Sequence, residues 1–135
     1  MRILDTSALL AYFRIDDPDH SRVVSALDST DLRVVSPFVL AELDYLVATR
    51  FGARAEAAVL DELAGGRFEL PTMTSSDIIT CRRIIEVYDD LDPGLTDASL
   101  VVLADRYGTD LIVTLDRRHF SVLRGLDGQP FTLLP

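Results

Sequence analysis

Lysine is missing from this chain altogether: all 13 basic side chains among its 135 residues are arginine. The codon bias of a GC-rich genome is enough to explain the absence, but any mechanism that requires a lysine is excluded. Cysteine is scarce too. Cys81 stands alone, so no intramolecular disulfide can form, and its plainest role is that of a small buried hydrophobe. With His20 and His119 it shows none of the ligand spacing of a zinc site. No apolar run approaches the roughly 18–20 residues that would span a bilayer. A first strand beginning at Arg2 is expected to leave no room for a signal peptide. Together these features favour a reducing cytoplasm and no membrane. The sequence also lacks internal repeats, low-complexity stretches and interdomain linkers.

The charge balance is one-sided. A net charge of −9 argues against a protein that coats nucleic acid nonspecifically, because such proteins are usually basic. It leaves open a cleft whose local charge, with bound metal, differs from the average. A hydrophobic share of 48% is ample for a layered globule, and the length suits one domain spanning residues 1–135.

Short apolar runs alternate with helical periodicity. Arg2-Ile3-Leu4 reads as a buried strand stopping at the turn-and-cap cluster Asp5-Thr6-Ser7, with a brief helix over Ala8–Phe13. After the acidic loop around Pro18, a helix begins near His20 and runs to Ser29-Thr30-Asp31, and Arg33-Val34-Val35 forms the second strand. Ser36-Pro37 opens a helix with a hydroxyl cap and a proline in its first turn, and Gly52 ends it. Another helix spans Ala53–Leu63, and Phe68-Glu69-Leu70 makes a short edge strand closed by Pro71. Thr74-Ser75-Ser76-Asp77 caps the helix carrying Cys81, and Thr96 is expected to cap the one running to Tyr107. Leu111–Leu115 is the most hydrophobic strand, Phe120–Leu123 a short helix or turn, and Phe131–Leu134 a last strand. This alternation predicts a doubly wound α/β/α sandwich with a mostly parallel sheet.

In such a fold, strand carboxyl ends and helix amino ends share one edge, where ligands bind. Asp5 and Asp116 each follow a predicted strand, Asp97 lies in the first turn of a helix, and Glu42 borders the apolar stripe Val39, Leu40, Leu43, Leu46, Val47. Separately, each has a structural explanation in capping, turn formation or the helix dipole. Together they would raise one another's pKa values unless a cation lay between them. Mg²⁺, or Mn²⁺ in its place, takes hard oxygen ligands, with Asp5 and Asp97 binding directly and Asp116 and Glu42 directly or through water. Hydroxyls of Thr6, Ser7 and Thr114 near the same edge support the acids or form turns. Arg117-Arg118-His119 either holds phosphate or is a solvated charge run, and His119 could assist proton transfer. Tyr45 and Tyr12 stack on bases or join the core. His20 belongs to the surface.

These residues resemble the PIN-domain ribonucleases, in particular the VapC toxins of bacterial toxin–antitoxin pairs. The resemblance covers essentially the whole chain: Leu4-Asp5-Thr6-Ser7 through Ala11, Val35-Ser36-Pro37 through Leu43, Leu95-Thr96-Asp97-Ala98-Ser99-Leu100, and Thr114-Leu115-Asp116-Arg117-Arg118-His119-Phe120. It implies that Asp5, Glu42, Asp97 and Asp116 form the family's acidic quartet, on a five-stranded parallel sheet flanked by helices. It further implies Mg²⁺-dependent cleavage of structured RNA, tRNA or ribosomal RNA, and a homodimer or a complex inhibited by a cognate VapB antitoxin. Competing readings fail on particular residues. A phospho-accepting receiver domain needs a lysine, and a haloacid-dehalogenase relative needs an aspartate where Ser7 stands. A PIN-like module that binds RNA or protein without cutting is the remaining alternative, beside a relative that cuts DNA.

Overall fold

The computed structural model describes residues 1–28 and 31–135. Its elements run β1 (Arg2–Leu4), α1 (Thr6–Tyr12), α2 (His20–Leu27), β2 (Arg33–Val35), α3 (Pro37–Phe51), α4 (Ala53–Ala64) and α5 (Ser75–Val87). A 3₁₀ turn (Asp89–Leu91) follows, then α6 (Leu95–Arg106), β3 (Leu111–Val113), α7 (Arg117–Phe120) and β4 (Thr132–Leu134). The strands form one parallel sheet in the order β2-β1-β3-β4, with helices on both faces.

Among the described residues the sheet has four strands, not the five expected. The segment foreseen as an edge strand, Phe68-Glu69-Leu70, touches β2 through a single parallel bridge between Val34 and Glu69. Glu69 N–H donates to Arg33 O at 2.8 Å and its carbonyl accepts from Val35 N–H at 2.9 Å. Pro71, which has no N–H, then prevents the ladder from continuing. β3 also stops two residues short of the expected Leu115. Side-chain hydroxyls take the backbone donors there: Leu115 N–H goes to Ser7 Oγ at 3.0 Å and Asp116 N–H to Thr114 Oγ1 at 3.1 Å.

Most helix signals act as anticipated. Ser36 caps α3, Thr74 and Asp77 form a reciprocal capping box on α5, and Gly108 sits past α6 with φ of 61°. α1 starts at Thr6, two residues early, because Asp5 accepts its N–H at 2.8 Å as the N-cap. α2 ends at Leu27, while Ser29 and Thr30 of its foreseen end lie outside the described residues. Thr96 is not a cap. α6 begins after Gly94 with no side-chain bond from the cap, and Thr96, the second residue of the helix, directs its hydroxyl elsewhere.

The sheet is buried by one cluster that includes Ile3, Leu4, Val34, Val35, Ile112 and Val113 from the strands and Leu9, Leu43, Leu100 and Leu103 from the helices. Each fully buried side chain of this kind contributes about 1.5–3 kcal/mol relative to exposure. Register then aligns the carboxyl edge. Leu4 pairs with Val35 and Val113, and Val113 with Leu134, so residues 5 and 114 emerge side by side. Asp5 N–H donates to Val113 O at 2.9 Å, which extends that alignment one residue beyond the ladder. Among the described residues, no helix is long and apolar enough to cross a membrane.

Candidate active site

The carboxyl edge of the sheet opens into a cavity of about 420 Å³, lined by Asp5, Thr6, Ser7, Leu10, Glu42, Leu46, Gly94, Thr96, Asp97, Asp116 and His119. All four acids singled out in the sequence therefore face one space. They arrive from four elements: the cap of α1, the second turn of α3, the first turn of α6 and the cap of α7.

Asp5 is the most enclosed, only 7% exposed. Its Oδ1 accepts from Thr6 N–H at 2.8 Å, and its Oδ2 from Thr114 Oγ1 at 2.7 Å and Ser7 Oγ at 3.1 Å. Burial nevertheless pushes its carboxyl up to about 6. The charge of Asp97 adds to the rise, and the Thr114, Thr6 and Ser7 hydrogen bonds oppose it. Asp97, half-buried on the apolar side of α6, is also held above the ordinary carboxylate range. Burial is the main cause, and the charges of Asp116 and Glu42 contribute. Its bond and ion pair with His119 act the other way. Asp116 caps α7 by accepting Arg118 N–H at 3.2 Å, and Glu42 Oε2 accepts from Thr96 Oγ1 at 3.3 Å. Asp116 and Glu42 are exposed, and so remain open to solvent.

The structure separates the basic trio. His119 turns its Nδ1 onto Asp97 Oδ2 and lines the cavity. Arg117 reaches away to the Pro135 carbonyl at 2.6 Å, and neither it nor the exposed Arg118 is part of the lining. It separates the tyrosines as well. Tyr12 packs edge-on against Phe13 and Phe68, whereas Tyr45 is 68% exposed, one turn beyond Glu42. His20 is half-buried, its Nδ1 at 2.9 Å from Ala11 O, and Cys81 is buried as expected. Thr6 and Ser7 line the cavity, and Thr114 is wholly buried behind them.

Sequence reasoning missed Thr96, Leu10 and Leu46 as lining residues, and the His119–Asp97 pair. Leu46 was within reach, standing one turn from Glu42 on the same helix face. The His119 pair was not, because it joins residues 22 positions apart.

The residues suit a hard divalent cation. The four acids offer only oxygen donors, burial holds two of their carboxyls above the ordinary range, and Thr6 Oγ1 is buried without a protein partner. Among the described residues, no group of three or more His, Cys, Asp or Glu side chains is placed to hold a metal ion.

Residues 2–126 match the family model of the PIN domain. The chain belongs to the PIN-domain family. It is 57% identical over 134 residues to "Ribonuclease VapC26" of Mycobacterium tuberculosis, covering 98% of this chain and 99% of that one, and is thus a homologue of the VapC ribonucleases. Solved PIN-fold structures superpose along nearly its whole length. The crystal structure of VapC20 from M. tuberculosis, described as a sarcin–ricin-loop-cleaving toxin, has a TM-score of 0.78 at 19% identity, covering 86% of this chain and 90% of that one. The DNA-bound VapBC of Salmonella typhimurium has a TM-score of 0.68 at 23% identity, covering 98% and 96%. At such identities these structures speak for the fold.

Proposed function

We propose that this VapC homologue is a Mg²⁺-dependent endoribonuclease, the toxin of a type II toxin–antitoxin pair, which hydrolyses phosphodiester bonds in structured RNA by attack of an activated water. The observation that carries the proposal is the convergence of Asp5, Glu42, Asp97 and Asp116 on one cavity, with the two more buried acids held above their ordinary pKa. Asp5 and Asp97 would hold Mg²⁺ or Mn²⁺, with waters completing the shell as Mg²⁺ usually requires. Bound there, the cation would polarise the phosphate and make a nucleophile of water at neutral pH.

The chain's own groups do the remainder. Glu42 and Asp116, exposed at the cavity, are placed to orient a water or accept its proton. Thr114, Ser7 and Thr6 N–H hold the Asp5 carboxylate in one orientation. His119 does the same for Asp97. The apolar walls of Leu10 and Leu46 limit the water that competes for the site.

A cavity of four acids also attracts a basic peptide, which supports inhibition by a VapB-type antitoxin inserting a cationic side chain. The VapBC assemblies among the structural neighbours support that pairing, and a homodimer bound to antitoxin is the assembly proposed.

The test is cleavage of structured RNA by the purified chain. Mg²⁺ should support cutting, excess chelator should abolish it, and Asp97→Asn should lower it at least about 100-fold, as loss of a principal electrostatic group does. Products should carry 5′-phosphate and 3′-hydroxyl ends. Ends with 2′,3′-cyclic phosphate would show attack by the RNA's own 2′-hydroxyl instead. RNA retained but uncut in Mg²⁺ would mark a binding module.

A further inference from the structure

α3 and α6 carry Glu42 and Asp97, and side chains link the two helices at two places along α3. Deep between them, Ser36 and Ser99 are both 0% exposed, with their hydroxyl oxygens 2.7 Å apart. The proton direction follows from the partners. Ser99 Oγ donates to Thr96 O at 2.6 Å, which uses its only hydrogen. Ser36 must therefore donate to Ser99, while its own oxygen accepts Phe38 N–H at 3.2 Å. The run Phe38 N–H to Ser36 to Ser99 to Thr96 carbonyl is thus polarised one way, and members of such a run strengthen each other.

Thr96 then closes a loop. Its hydroxyl donates to Glu42 Oε2 at 3.3 Å, back on α3. Ser36 and Glu42 stand six residues apart, roughly 9 Å along the helix axis. One cross-link would leave the helices free to pivot; two spaced this far constrain both separation and rotation. Asp97 follows Thr96 directly and lies inside the loop. The need for such a brace is electrostatic, because Glu42 and Asp97 repel each other across the cavity.

We propose that Ser36, Ser99 and Thr96 are positioning residues whose hydrogen-bonded circuit sets the separation of Glu42 and Asp97 and so readies the cavity for a cation. The inference rests on the reading of this cavity as a cation site. The serines touch neither the cavity nor the reacting atoms, so their effect on binding passes wholly through the helix pair.

The experiment measures Mn²⁺ binding to the intact chain by calorimetry, with urea unfolding in metal-free buffer beside it. Ser99→Ala and Thr96→Val should each weaken Mn²⁺ about tenfold, as removal of an outer support to a ligand does. Thr96→Ser, which keeps the hydroxyl, should bind as wild type. Affinity within twofold of wild type in folded Ser99→Ala overturns the proposal, whatever that variant loses in stability. If Ser99→Ala does not fold, Thr96→Val is judged by the same criterion. If the wild-type chain takes up no Mn²⁺, the cation reading itself fails, and amide exchange without metal decides the brace. Phe38 N–H should then exchange several-fold faster in Ser99→Ala than in wild type, and equal rates overturn it.

Discussion

In metal-free buffer, raising the pH from about 5 to about 8 should destabilise the folded chain, with Asp5 a principal cause. The unfolded carboxyl titrates near the ordinary 3.8 and the folded one near about 6. Between those values the folded chain binds the extra proton, so stability falls as pH rises through the window and levels off above it. At about 1.36 kcal/mol per pKa unit, the whole difference is on the order of 3 kcal/mol. About 1.4 kcal/mol of that is still to be lost above roughly pH 5. Asp5→Asn removes the titration and keeps most of the contacts. The amide oxygen can take Thr6 N–H, and the amide N–H can donate to Thr114 Oγ1, whose own hydrogen then serves Asp116 O at 3.1 Å. Urea unfolding of both proteins at several pH values, followed by subtraction, isolates the Asp5 contribution from that of Asp97. Mg²⁺ added near pH 8 should restore stability to the wild type and not to the variant, by about 2.7 kcal/mol at a hundred times Kd. A wild-type-minus-variant difference that stays flat across the range would refute the claim that Asp5 is a desolvated acid awaiting a cation.

Thr114→Val is nearly isosteric and removes the shortest bond to Asp5, so the Asp5 pKa should climb further and the chain lose about 1–3 kcal/mol. A pH–rate profile of RNA cleavage would show the acid limb moving to higher pH. His119→Ala removes the partner that holds Asp97 down, and should move that limb the same way, whereas Arg118→Ala, outside the cavity, should leave it in place. Leu43→Ala, at a wholly buried position of α3, should cost about 2–5 kcal/mol in urea unfolding.

How far the sequence carries can be judged from particular positions. Ser36-Pro37 and Thr74-Ser75-Ser76-Asp77 mark their helix starts because capping chemistry is local: donor and acceptor lie within three residues. Asp5 and Asp116 were legible for a related reason. A residue just past an apolar run must emerge at the sheet's carboxyl edge, whatever the rest of the chain does. Thr96 and Phe68-Glu69-Leu70 went the other way. Thr96 reads as a cap by type, yet Glu42, 54 positions earlier, draws its hydroxyl across the helix interface. The edge segment has strand composition, but one bridge to β2 is all the pairing it makes before Pro71.

From residue order alone come the alternation of strands and helices, the membership of four acids in one sheet edge, and the exclusion of lysine chemistry and of an intramolecular disulfide. Each depends on periodicity, capping or composition, which act over a few residues or none. Packing decided what the acids experience: that Asp5 is desolvated while Glu42 and Asp116 stay open, that His119 attends Asp97 while Arg117 turns to the C-terminal carbonyls, and that two buried serines join α3 to α6. Burial and through-space hydrogen bonds belong to residues brought together from distant parts of the chain, and they exist only once the sheet and its helices have closed.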